Sequence, residues 1–121
     1  MGLLENIATL ISGVESSIYI GVRPSKAPDN VCGIYRITGR PPERDLDGII
    51  TYRNPSIRIV VRDTDYIKAE ARMEAILTTL NSVDGTYGIM QIINESDIVS
   101  LGLDETKRCV EMYVNFSIKQ Q

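Results

Sequence analysis

The chain has 121 residues, 43% of them apolar and 24% charged, which suits one globular domain and excludes a disordered segment. A net charge of −3 argues against a dedicated nucleic-acid binder, and the absence of histidine removes the usual proton shuttle and the commonest transition-metal ligand. With six tyrosines, one phenylalanine and no tryptophan, the interior has to be filled by aliphatic side chains.

Leu3, Leu4, Ile7, Leu10, Ile11 and Val14 recur at three- and four-residue steps and predict a first amphipathic helix, ending near Ser12-Gly13. Core packing accounts for this stripe without a partner. Residues 1–14 lack the basic start and small-residue cleavage site of a secretory peptide, and Asn6 stands where a myristoylation motif carries Ser or Thr. No apolar run reaches membrane-spanning length, so no membrane partner is expected.

Ile18, Ile20 and Val22 alternate with Tyr19 and Gly21, predicting a strand that Pro24 stops. After turn chemistry at residues 25–30, residues 31–38 read as a second strand, with Cys32, Ile34, Arg36 and Thr38 on one side. The short connection predicts an antiparallel hairpin. Residues 39–55 hold three prolines, two glycines and six charged side chains; they read as an exposed, irregular loop, with residues 49–52 apolar enough to extend the next strand. Such a loop is expected to order against another subunit.

The strongest local signal covers residues 56–81. Ile57, Ile59 and Val61 alternate with Arg58, Val60 and Arg62, the period of a half-buried strand. Asp63-Thr64-Asp65 offers side-chain oxygens to cap a helix start. From there Tyr66, Ala69, Met73, Ile76, Leu77 and Leu80 form one helical stripe, and Asp84-Gly85 ends it. Residues 89–94 read as another strand, residues 95–106 as an irregular connection. In the last strand Arg108, Val110, Met112, Val114, Phe116 and Ile118 face one way, and Cys109, Glu111, Tyr113, Asn115 and Ser117 the other. One apolar and one polar face describe a sheet covered on a single side. The order α-β-β-β-α-β-β predicts an α+β fold, a small mixed or antiparallel sheet with two helices packed on one face, as one domain over residues 1–121.

Catalytic constellations are scarce. The pairs Asp104-Glu105 and Asp45-x-Asp47 fall in predicted loops beside basic residues, where solvated turn carboxylates are the ordinary case. Gly85-x-x-Gly88 lacks the lysine and hydroxyl residue of a phosphate loop. Cys32 and Cys109 lie far apart without a C-x-x-C pattern and read as reduced, partly buried thiols. No cofactor, metal or catalytic residue is expected; the chain reads as a protein that works by its surfaces. Charge is unevenly placed: residues 23–62 hold eight basic and four acidic side chains, +4, and the rest five and twelve, −7. Solvated faces explain this, as does a basic face of one subunit meeting an acidic face of the next.

Four stretches together resemble the tail terminator, or tail completion, family of minor capsid proteins of long-tailed phages and prophages. They are the Leu-rich first helix, Ile34-Tyr35-Arg36 leading to Gly39 and a Pro-rich loop, residues 55–62 followed by Asp65-Tyr66 and Ala69, and residues 103–108 before the last strand. Lys107 stands where that last pattern often carries glycine. The resemblance implies a non-enzymatic virion protein at the head-proximal end of the tail, assembled in the host cytoplasm. It implies a ring of identical copies, commonly a hexamer, that binds the last ring of tail tube protein, stops polymerisation and presents a surface for head–tail joining to the connector protein. DNA is then only cargo passing through the channel. Arg40, Arg44, Asp45, Asp47, Arg53, Asp104, Glu105, Lys107 and Arg108 are the candidate contacts to neighbouring subunits or the tube. Another head–tail connector or tail-tube subunit, or a stand-alone α+β module binding a ligand or peptide, are the alternatives.

Overall fold

The computed structural model describes residues 2–15, 18–21, 31–44, 46, 50–83, 89–95, 97–104 and 109–120. Two helices, α1 (Leu3–Ile11) and α2 (Tyr66–Asn81), pack against one face of a six-stranded mixed sheet. The strands are β1 (Ile18–Ile20), β2 (Val31–Arg44), β3 (Ile50–Asp63), β4 (Ile89–Asn94), β5 (Val99–Asp104) and β6 (Cys109–Gln120). Their order is β1-β2-β3-β6-β4, with β5 beside β4 along the same edge of β6. The α+β class and the single-sided helical cover agree with expectation.

The alternation in β3 and β6 decides which face is covered. Ile57, Ile59 and Val61 lie opposite Phe116, Val114 and Met112, and all six are fully buried. Cys32 and Ile34 continue this layer into β2, and Met73, Ile76, Leu77 and Leu80 of α2 close it from above. Each such side chain contributes about 1.5–3 kcal/mol on leaving water. α2 starts where Asp65 accepts a hydrogen bond from the Ile67 N–H at 2.9 Å, while Asp63 Oδ1 accepts from the Asp65 N–H at 3.1 Å. Two residues of the predicted stripes lie outside the core: Tyr66, on the first turn of α2, and Val14, past the end of α1, are exposed.

Three expectations are corrected. β1 pairs with β2 in parallel, Ile18 opposite Cys32 and Ile20 opposite Ile34, not as an antiparallel hairpin. Ten residues separate the two strands; they span up to about 33 Å, ample to carry the chain back beside its own start. Gly21, at a φ of 80°, makes the turn, and its N–H donates to the Ile34 carbonyl at 2.9 Å. Second, most of residues 39–55 is strand. β2 and β3 run on as a two-stranded ribbon, with register shifts after Ile37, Arg40 and Glu43 that accommodate Pro41 and Pro42. Third, the connection before β6 contains β5, whose pairing with β6 shifts register between Ser100 and Gly102.

Candidate functional site

The residues expected to make subunit contacts fall into two groups at opposite ends of the sheet. Arg40 and Arg44 lie in the outer half of β2, opposite Asn54 and Ile50, and Arg53 of β3 pairs with Gln120 at the far end of β6. Asp104 ends β5 opposite Cys109, the first residue of β6. The length of β6 sets the groups roughly 35 Å apart. Asp45, Asp47, Glu105, Lys107 and Arg108 lie outside the described residues.

Beyond the Arg53–Gln120 pair, the ribbon of β2 and β3 overhangs the sheet, and residues 41–44 and 50–52 pair only with one another among the described residues. Leu46, in the turn at its tip, is fully exposed. Among the described residues β2 pairs on its outer side only at Cys32, Gly33 and Ile34, and β4 and β5 have no partner on theirs. These backbones leave hydrogen-bonding groups facing outward, the usual template for strand addition.

Among the described residues no helix covers the other face of the sheet, which is mostly polar. Register brings Gly33, Val60 and Tyr113 into one row, and Tyr35, Arg58 and Asn115 into the next. Arg58 stacks over the Tyr113 ring at 4.2 Å and donates from Nε to Asn115 Oδ1 at 2.9 Å. A third row sets Arg62 against Glu111, an ion pair of 3.3 Å. Tyr19, Tyr35, Arg58, Arg62, Glu111 and Tyr113 line a hollow of about 260 Å³. Tyr35 folds over Gly33 so closely that a Cβ there would stand 2.8 Å from its hydroxyl oxygen.

A buried ionic cluster joins the helices to the sheet, and the helical period gave no sign of it. Arg72 on α2 donates to both carboxylate oxygens of Glu15, at 2.9 and 2.7 Å, to Asp63 Oδ2 at 3.2 Å, and to the Arg62 carbonyl at 2.9 Å. The Glu15 and Asp63 side chains are 4% and 5% exposed. Burial works to lower the Arg72 pKa, but the hydrogen bonds and charge of Glu15, then of Asp63, outweigh it and hold the guanidinium above its ordinary value. The Cys32 thiol is pushed up to about 12 by burial and then by the Glu15 charge, so it is no nucleophile at neutral pH. Among the described residues no three side chains of metal-ligating type gather, and no helix is long and apolar enough to cross a membrane. What the molecule offers is strand edges, a projecting ribbon and patterned charge.

No curated protein matches the sequence. In three dimensions the chain is similar to a solved chain from the "Virion of native gene transfer agent (GTA) particle", with a TM-score of 0.58 at 13% identity, over 94% of this chain and 83% of that one. At that identity the likeness speaks for the fold. The family model described as bacteriophage tail terminator protein matches residues 6–121, from the first helix through the last strand. This chain belongs to the bacteriophage tail terminator family.

Proposed function

We propose that this phage tail protein assembles into a ring, six-fold as is common in the family, on the last ring of the tail tube. The ring halts tube polymerisation and gives the head connector its docking surface at the head-proximal end. Copies of itself, the tube protein and the connector protein are its partners; DNA passes through the channel as cargo, and no chemistry is performed. The observation that carries this reading is the overhanging ribbon. A two-stranded ribbon is marginal in water by itself, so one that extends beyond its own sheet gains its order by lying against another molecule. Arg44 lies on that ribbon, Arg40 and Arg53 stand at its base, and Asp104 ends β5 at the opposite end of the sheet.

The test is solution mass and negative-stain imaging of the protein alone and with purified tail tubes, beside a variant in which residues 42–52 are replaced by an Asn-Gly turn. The wild type is expected to cap tube ends with rings; the variant is expected to fold, judged by circular dichroism, and to leave the tubes uncapped. A wild type that stays monomeric beside tubes would overturn the reading, as would a trimmed variant that caps them equally well.

A further inference from the structure

We infer that the hollow on the helix-free sheet face is one half of the subunit contact, and that it receives the acidic flank of α2 from a second copy of this chain. The inference rests on the ring reading above and names the surfaces that meet.

On the sheet face, Arg58 is held by the Tyr113 ring and by Asn115 through Nε, and none of the described residues takes a hydrogen bond from its two terminal nitrogens. It is a fixed cation whose donating fork is unused among the described residues, set beside the Tyr19 and Tyr35 rings in a hollow the size of one or two side chains. On the helix-bearing face, Glu70 and Glu74 stand one turn apart on α2 and, with Asp97, Tyr66 and Ile98, line a second hollow of about 210 Å³ floored by Met112. Like charges at this spacing repel and destabilise an isolated helix. Neither glutamate has a described cation partner. Beside them Tyr66 and Ile67 are 51% and 77% exposed, an apolar rim of the kind that interfaces cover. One surface is an anchored arginine among tyrosine rings; the other is a pair of carboxylates beside exposed apolar side chains. They are complementary in charge and in chemistry.

Their placement fixes the kind of assembly. Met112 points toward the helices and Tyr113 away from them, so the two hollows lie on opposite faces of one sheet. A contact between opposite faces cannot be self-complementary about a two-fold axis. It is head-to-tail, and repetition of a head-to-tail contact closes a ring when the rotation allows.

Charge reversal tests this. Arg58→Glu sets like charges against each other in every contact, and so does Glu70→Arg with Glu74→Arg. Each variant, shown by circular dichroism to be folded, is expected to weaken self-association at least about 100-fold, since facing like charges cost several kcal/mol. Mixed in equal amounts, the two variants present opposite charges at both kinds of contact, so an alternating ring with an even number of subunits is expected, read by light scattering and on tube ends. Rings from either variant alone, or none from the mixture, would overturn the contact while wild-type rings leave the assembly reading intact. A wild type that forms no ring with tubes present overturns both.

Discussion

Removing the positive charge from the buried cluster is the severest single test of how this protein is held together. In Arg72→Met the four hydrogen bonds of the guanidinium disappear, and the carboxylates of Glu15 and Asp63, both under 6% exposed, lose the cation that compensates them. Breaking a buried pair by deleting one partner costs about 3–5 kcal/mol. The Arg72 side chain is itself 20% exposed, so water can enter as it leaves, which places the expected loss near the lower figure, about 3 kcal/mol. For a chain of 121 residues, with a total stability of about 6–18 kcal/mol, that is a large share. At a urea dependence of about 1.5 kcal/mol per molar, the unfolding midpoint should fall by about 2 M. A triple variant with Glu15→Gln, Asp63→Asn and Arg72→Met leaves no charge behind and should recover most of the loss, because the penalty belongs to the orphaned carboxylates and not to the missing arginine. A midpoint within about 0.5 M of wild type for Arg72→Met, at unchanged slope, would refute this account.

Leu77→Asp puts a carboxylate into the layer between α2 and the sheet, where Leu77 is 8% exposed; it should yield no soluble folded protein, as judged by gel filtration and circular dichroism. Asp65→Ala deletes the side chain that accepts from the Ile67 N–H and should cost about 1 kcal/mol in urea unfolding, with tube capping unchanged. Cys32 should resist iodoacetamide at pH 8 until denaturant is added, as peptide mapping would reveal. Its folded pKa lies near 12 against an ordinary 9.0, so the stability it contributes is complete below pH 9 and is lost as pH rises toward 12. The decline in urea midpoint above pH 9 should accordingly be shallower in Cys32→Ala.

Much of this architecture was legible because two periods are strong. The stripe through Met73, Ile76, Leu77 and Leu80 and the alternation in β3 and β6 are the sheet and its cover, and they identify the polar face that holds Arg58, Tyr113 and Asn115. What escaped did so for physical reasons. A three-residue strand such as β1 carries no directional signal, so its parallel pairing follows only from the length of the connection after it. Pro41 and Pro42 read as breakers because in a paired strand they would be; on an open edge with register shifts they are tolerated. In β5 the alternation of Val99, Leu101 and Leu103 is present, but six residues interrupted by Gly102 fall beneath the threshold of a pattern. Of the candidate contact residues, Arg40, Arg44 and Arg53 lie on strands instead of in a loop. Glu15 and Arg72 sit 57 residues apart, and no local spacing can announce such a partnership. Likewise, that Tyr19 and Tyr35 converge beside Arg58 depends on the register of three strands.

The position of β6 has a consequence for how the polypeptide comes into being. It is the last of the six strands to be synthesised, yet it lies inside the sheet, with β3 on one flank and β4 and β5 on the other. Before residue 120 has left the ribosome, the inner rim of β3 has nothing to zip against, so the sheet closes only after translation has passed that point, through distant pairings that form slowly. During that interval the nascent chain leaves the β3 edge unpaired, and whatever shields it until β6 arrives is favoured.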